Sequence, residues 1–238
     1  MLTKVGFLVL SVLEGLGIIL FTLKLYMLPL KRWHFKQVAI LVICMTFFSY
    51  LMRVVFNLSV IDLPLQYVIY VLFSRYVFGI RMHLASFMWG ASLSAYAMLQ
   101  MLIYYCYDIL GLLQVDVFKQ STGVQISLLQ ASSIVMLYTI SFFLKFTGRG
   151  FSFIADPPHD FFSPTNFSES PNMQYVIVTL ISTVTIVSAV FLLANVNPLG
   201  LLIVSLFTFT ISYLFSKRKD AKDAMDAIEA YRERNKKD

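Results

Sequence analysis

Long apolar runs separated by short polar segments dominate this sequence. A run of about 20 apolar residues has the length of an α-helix that crosses the hydrocarbon core of a bilayer. In lipid, backbone polar groups must pair within such a helix, and the runs lack the alternation of barrel strands. The sequence therefore predicts an all-α, polytopic integral membrane helical bundle of about seven transmembrane helices, at Val5–Leu28, Gln37–Phe56, Leu63–Ile80, Met82–Tyr107, Gln125–Phe146, Met173–Ala194 and Leu199–Phe215.

The small share of charged residues argues against a soluble domain. Only 13% of the 238 residues are charged, about half the share in typical soluble domains. The formal net charge is +6, but the basic residues lie at the ends of the apolar runs and in the final segment. This placement favours contact with the lipid bilayer and its anionic head groups over contact with nucleic acid.

The distribution of lysine and arginine predicts the orientation. Cytoplasmic loops of membrane proteins are enriched in these residues. With the C-terminus inside, the outer segments hold only Lys4 and Lys119, and the inner segments hold Lys24, Lys31, Arg32, Lys36, Arg81, Lys145, Arg149 and the basic residues from Lys217 onward. We therefore predict a multi-pass protein of the cell membrane with the N-terminus outside and the C-terminus inside.

The connections between the runs differ in length. Gly79-Ile80-Arg81 and Asn195-Val196-Asn197-Pro198 are predicted to be short turns, the second because asparagine and proline favour turns. Asp108–Val124 is predicted to be an outer loop with a short amphipathic stretch. Gly148–Asn172 is predicted to be an inner loop, with its phenylalanines at the membrane interface.

The last segment changes character, which divides the chain into a transmembrane domain at 1–216 and a cytoplasmic charged helical tail at 217–238. Ala221, Ala224, Ile228 and Tyr231 recur at three- and four-residue spacing and form one narrow apolar stripe on a helix. Two interpretations remain: a solvated helix that extends the last span, or a short coil that pairs with a second copy or with a cytoplasmic protein partner.

Among the charged residues within the predicted spans, three stand out: Glu14, Arg53 and Arg75. A charge in hydrocarbon costs about 2.5–3.5 kcal/mol or more, so each needs a partner or access to water. The estimated depths of Glu14 and Arg53 allow an ion pair between them. The alternative is that Arg53 extends to the outer head groups while Glu14 is protonated or faces water. Arg75 is expected to reach the inner face.

One face of the fourth span carries unusually large polar and aromatic side chains. They recur at helical spacing, and Gln130 of the fifth span extends the set. Small hydroxyl residues in the fifth and sixth spans are normal packing material, but glutamine and tyrosine are larger than close packing requires. Packing and a ligand-lining surface both remain open for Trp89, Tyr96, Gln100, Tyr104, Tyr107 and Gln130.

The residue types for catalysis do not converge in the sequence. His34, His83 and His159 lie in three separate segments without the spacing of a zinc-binding helix. Phosphate-binding loops, nucleophile elbows and kinase signatures are also missing from the sequence. We therefore predict no catalytic residues, no metal site and no cofactor, and we expect that the chain is not an enzyme.

Several short stretches resemble a known family. They are Ser11-Val-Leu-Glu-Gly-Leu-Gly, Leu28-Pro-Leu-Lys-Arg-Trp, Tyr50-Leu-Met-Arg-Val, Gly148-Arg-Gly-Phe-Ser-Phe-Ile and the asparagine turn before Pro198. Over about residues 5–216 the chain resembles the membrane sensor domain of Gram-positive peptide-responsive sensor histidine kinases of the accessory gene regulator and GHKL type. In that family the last span leads into a helix with a phosphorylated histidine. The tail up to Asp238 has no histidine, so we expect no kinase activity here.

Two function hypotheses follow. The first is a receptor-like module without a kinase, which senses a peptide or small apolar ligand from outside or from the lipid phase. Signal transduction would then run through a cytoplasmic partner of the tail. The second is a small secondary transporter or permease subunit that uses the same polar residues as a pathway.

Overall fold

The chain folds into helices throughout the part that the structure describes. This structure is a computed structural model, and it describes residues 2–56, 58–113, 123–155, 170–195 and 197–234. Within these ranges there are seven α-helices and no strand: α1 (Leu2–Leu25), α2 (His34–Tyr50), α3 (Ser59–Val77), α4 (Met82–Ile109), α5 (Val124–Thr147), α6 (Ser170–Ala194) and α7 (Pro198–Arg234). Each predicted apolar run overlaps one of these helices.

The helix α2 does not end as a regular α-helix. Its last turn widens into a π-helical segment, Leu51–Val55, and the N–H of Phe56 donates to the carbonyl of Leu51 at 2.9 Å. Such π-helical turns are rare and occur frequently at functional sites. Arg53 lies in the middle of this turn.

Both predicted short turns separate helices in the structure. The first lies between Val77 and Met82, and the second between Ala194 and Pro198. At the second turn the side-chain oxygen of Asn197 accepts a hydrogen bond from the N–H of Gly200 at 2.9 Å. Asn197 thus caps the start of α7, because its side chain satisfies an N–H that the first helical turn leaves free.

The helix α4 is the centre of the bundle. It contacts α1, α3, α5, α6 and α7, and α2 packs against α1 and α3 at the periphery. Trp89 and Phe87 of α4 are fully buried. Gly90 permits the closest approach, because a Cβ added there would lie 2.4 Å from the Cβ of Ser182 on α6.

The outer surface of the bundle is strongly apolar. Ile40, Ile43 and Phe47 of α2 are 61%, 63% and 62% exposed. In the part of the chain that the structure describes, four helical segments are long and apolar enough to cross a membrane, namely Gly6–Leu25, His34–Val55, Val124–Thr147 and Pro198–Met225. An apolar exterior on such helices is typical of a membrane protein, since lipid replaces water as the surrounding solvent.

The segment after α5 corrects one prediction. Its phenylalanines were expected at the membrane interface, but Phe151 and Phe153 are buried in the main core, where both lie about 6 Å from the ring of Tyr26. The N–H of Phe151 donates to the carbonyl of Leu25 at 2.7 Å. Space between the ends of α1, α4 and α7 accommodates these rings, which explains the difference. Residues 156–169 of this predicted loop lie outside the described residues.

The last helix continues beyond the apolar run. Without interruption, α7 extends from Pro198 to Arg234 and so includes most of the charged tail. Asp220 lies near the start of this tail. It accepts hydrogen bonds from the N–H and the hydroxyl of Ser152 at 2.8 and 2.7 Å. The stripe residue Ile228 is 53% exposed. In the structure, the tail is therefore an extension of the last helix. Its pairing with a second copy stays a prediction.

Candidate functional site: a polar cleft among α1, α2 and α3

The carboxylate of Glu14 is held by two other helices. The hydroxyl of Tyr96 on α4 donates to Oε1, and the side-chain amide of Gln130 on α5 donates to Oε2. Tyr96 and Gln130 are both buried, while Glu14 is half-buried. Each of the two carboxylate oxygens therefore accepts a hydrogen bond from a neighbouring helix.

Arg53 is paired with a carboxylate that the sequence analysis did not single out. Its Nε lies 2.5 Å from Oδ2 of Asp62, which is completely buried in the first turn of α3. The same oxygen accepts hydrogen bonds from the hydroxyl of Ser49 at 2.8 Å and from the amide of Gln66 at 3.0 Å. Three side-chain donors therefore converge on this one buried oxygen.

The predicted direct ion pair between Glu14 and Arg53 needs correction. Among the residues that the structure describes, the ion-pair partner of Arg53 is Asp62, and Glu14 bonds to Tyr96 and Gln130 instead. The physical reason is the short connection between α2 and α3. Asp62 follows Arg53 by only nine residues in the chain, and this connection places the two side chains next to each other.

Glu14 and Arg53 line the same cleft. The cleft lies between α1, α2 and α3, and its volume is about 30 Å³, measured as the space open to the centres of water molecules. This is room for about two or three waters. The described lining residues are Ser11, Glu14, Gly15, Ile18, Val42, Met45, Thr46, Ser49, Arg53, Gln66 and Tyr70. A cleft of this size suits a small polar group.

The charges around the cleft do not balance. Two carboxylates, Glu14 and Asp62, face one guanidinium, that of Arg53, which leaves a formal charge of −1 for these three residues. Asp62 neutralises Arg53 directly. Glu14 is therefore the charge available to a group that enters the cleft, and a cation or a hydrogen-bond donor suits it chemically.

The predicted ligand-lining stripe of α4 divides among several surroundings. Trp89 donates its ring N–H to the hydroxyl of Ser74 at 2.6 Å and stacks on Tyr70 with ring centres 4.3 Å apart. Tyr107 shares a hydrogen bond of 2.5 Å with Ser132. These contacts are those of helix packing.

The remaining residues of the stripe are placed differently. Tyr104 is buried in a small cluster with Leu113 and Leu129, and Gln100 is half-buried. Tyr96 and Gln130 do meet at one group, the Glu14 carboxylate, but they stand behind it rather than in the cleft lining. The two residues are thus brought together, as partners of Glu14. A ligand-lining role for the whole stripe stays a prediction.

Two further predictions concern Arg75 and metal binding. Arg75 is half-buried in the last turn of α3, at the end of the helix opposite to Asp62. Groups of three histidine, cysteine, aspartate or glutamate side chains that could hold a metal ion do not occur in the described ranges. His159 lies outside those ranges, so this finding does not extend to it.

Asp62, Ser49 and Gln66 were not among the site residues predicted from the sequence. The predicted third run began at Leu63, whereas α3 begins at Ser59 and places Asp62 in its first turn. One signal for it was the aspartate just before a proline-containing apolar run, since acidic residues favour the first turn of a helix. Comparisons with protein-family models, with curated proteins and with solved structures found no match for this chain.

Proposed function

We propose that this protein is a receptor-like regulatory module of the cell membrane, and that the polar cleft is its sensing site. The observation that carries the proposal is the Glu14 carboxylate, which borders the cleft and also holds together α1, α4 and α5. A group that binds Glu14 in the cleft competes with Tyr96 or Gln130 for the carboxylate. Binding therefore changes how α4 is held.

The arrangement of α4 and α7 provides a route to the tail. The two helices pack along each other, and Phe87 of α4 meets Phe215 of α7 with ring centres 5.5 Å apart. Because α7 is one continuous helix from Pro198 to Arg234, a shift at its packed half moves the tail. Helix shifts of about 1–2 Å are typical of such switching.

The chemistry of the cleft favours a particular ligand group. The small volume and the formal charge of −1 suit a primary amine, such as a lysine side chain or the N-terminus of a peptide. This agrees with the resemblance to the membrane sensors of Gram-positive peptide-responsive kinases. In the proposed topology all seven helices span the bilayer with the N-terminus outside, so the cleft lies in the outer half.

Crosslinking from the tail tests the proposal. A photoreactive residue at Ile228 in intact cells is expected to capture a discrete cytoplasmic protein. Glu14→Gln keeps the size of the side chain but removes its charge, and it is expected to change the crosslinking yield at an unchanged level of membrane insertion. Tyr107→Phe, whose hydroxyl meets only Ser132 among the described contacts, is the matched control. Equal yields for the native chain and Glu14→Gln would contradict the proposal.

A small transporter is the second candidate, because a carboxylate beside a cleft within the membrane is also suited to ion-coupled transport. Proteoliposomes that contain the dye pyranine report proton entry under a membrane potential. We expect no entry above that of protein-free liposomes for a receptor. Entry that Glu14→Gln abolishes would support the transporter instead.

A further inference from the structure

The turn between α1 and α2 is folded around a buried histidine. The ring of His34 accepts a hydrogen bond from the N–H of Lys31 at 3.3 Å, and the N–H of His34 donates back to the carbonyl of Lys31 at 2.9 Å. The ring also meets Phe78, after the end of α3, at 4.9 Å in an edge-on contact. His34 therefore fixes the turn against the rest of the bundle.

Fixing His34 inward directs its neighbours outward. Trp33 and Phe35, on either side of it, are both 59% exposed. Lys31, Arg32 and Lys36 are exposed as well. We call these five residues the basic–aromatic turn. The exposure of two large aromatic side chains beside three basic residues indicates a surface with a partner.

The charge of the turn has no acidic counterpart in the surrounding sequence. Between Glu14 and Asp62 the chain contains no aspartate or glutamate, and both of these residues lie in the cleft region described above. The basic–aromatic turn thus presents three positive charges with an apolar pair between them. Its partner is expected to be anionic and to have an apolar layer close to the charge.

The position of the turn identifies that partner. The segment Gly6–Leu25, which is apolar enough to cross a membrane, ends before the turn, and a second such segment, His34–Val55, begins within it. The turn therefore lies at the height where hydrocarbon meets head groups. Tryptophan and other aromatic residues favour this layer, and lysine and arginine near it attract anionic lipids.

We infer that the basic–aromatic turn is a binding surface for anionic phospholipid head groups, with Trp33 and Phe35 inserted at the acyl boundary. An acidic segment of a protein partner matches the charges, but it does not supply the apolar layer that the two aromatic side chains need. The inference requires a bilayer around the bundle and does not depend on the proposed sensing function.

Quenching of Trp33 fluorescence by brominated lipids tests the inference. The full chain is reconstituted in phosphatidylcholine vesicles with a small fraction of either brominated phosphatidylglycerol or brominated phosphatidylcholine. The second tryptophan of the chain, Trp89, is fully buried. Subtracting the fluorescence of the Trp33→Phe variant, which contains only Trp89, leaves the fluorescence of Trp33. We expect the anionic quencher to act several-fold more strongly than the neutral one.

Two variants separate a local surface from general charge. Lys31→Gln/Arg32→Gln is expected to remove most of this several-fold preference for the anionic quencher, because lysine and arginine near the surface attract anionic lipid. Lys222→Gln/Arg232→Gln removes one lysine and one arginine from exposed positions of the tail and is expected to leave it unchanged. High salt weakens the preference in the unmodified protein too, which gives the same test without a substitution.

The opposite results are equally clear. Equal quenching by the two lipids, or a preference that survives both high salt and the Lys31/Arg32 double substitution, would overturn the inference. If poly-glutamate shields Trp33 while brominated phosphatidylglycerol has no greater effect than the neutral lipid, the partner is an acidic protein and not a lipid.

Discussion

The hydroxyl of Tyr96 donates to the carboxylate of Glu14 across 82 residues of sequence, and this bond joins the central helix α4 to α1. Hydrogen bonds to charged groups contribute about 1.5–3 kcal/mol, whereas bonds between membrane helices average about 0.6 kcal/mol. Glu14 also lines the polar cleft. Its bond to Tyr96 thus connects the candidate site to the packing of the whole bundle.

Tyr96→Phe removes only the donor of this bond. We expect a loss of about 1.5 kcal/mol in unfolding free energy, since a carboxylate loses one of its two side-chain donors. Tyr107→Phe is the matched control, and its neutral bond to Ser132 is expected to contribute about 0.6 kcal/mol. Denaturant unfolding in detergent measures both. In a Glu14→Ala background, Tyr96→Phe should lower the unfolding free energy little further. If it lowers the free energy there as much as in the native chain, the hydrogen bond between Tyr96 and Glu14 is not the cause of the loss.

The ion pair between Arg53 and Asp62 is asymmetric. Asp62 is completely buried, while the side chain of Arg53 is 33% exposed. Arg53→Met leaves a buried carboxylate without its cation, and breaking buried pairs in this way costs about 3–5 kcal/mol. The partial exposure of Arg53 places our expectation at the lower end, about 3 kcal/mol.

Asp62→Asn is expected to lower the unfolding free energy less than Arg53→Met does, because the long side chain of the freed Arg53 can extend towards water or head groups. Thermal unfolding of the two variants compares them, and the double variant should be less damaged than the sum of the single ones. If Asp62→Asn is the more destabilising change, the ion pair does not act as described.

The positions of the helices follow from local sequence, and the contacts between them do not. Apolar runs and the turn at Asn197 depend on neighbouring residues, so the sequence predicts them well. Tyr96 and Gln130 stand out as large polar residues in apolar runs. Their meeting at Glu14, however, depends on how three helices are rotated about their axes. The burial of Phe151 depends on space between distant helices, and a local pattern carries no signal for it.

The close approach of α4 and α6 at Gly90 makes this position intolerant of a side chain. A Cβ at Gly90 would lie 2.4 Å from the Cβ of Ser182. Gly90→Ala is therefore expected to destabilise the bundle by about 1–3 kcal/mol through overpacking. Gly6→Ala is the control, since a Cβ there meets no atom within 4 Å and alanine favours helix. Equal thermal stability of the two variants would contradict the close contact between α4 and α6.

The two hydrogen bonds from Ser152 to Asp220 tie the segment after α5 to α7. Asp220→Ala removes the acceptor of both, so the N–H of Ser152 is expected to exchange hydrogen faster, by about tenfold for each 1.4 kcal/mol lost. Asp223→Ala removes the ion pair with Lys219 at the partly exposed surface of the same helix and should leave this exchange unchanged. Hydrogen-exchange mass spectrometry of the 148–155 peptide compares them. Similar protection in Asp220→Ala and the native chain would show that the tie does not order the segment.

The proposed orientation can be measured at two exposed connectors on opposite sides of the bundle. Cys44 and Cys106 are exposed, so both are first replaced by alanine. Leu112→Cys lies just beyond the end of α4, at a side chain that is 51% exposed, and is expected to react with a membrane-impermeant maleimide in intact cells. Arg32→Cys is expected to react only after permeabilisation, because the positive-inside rule assigns its basic connector to the cytoplasm. Labelling of Arg32→Cys in intact cells would reverse the orientation, and the tail would then lie outside, where a cytoplasmic partner cannot meet it.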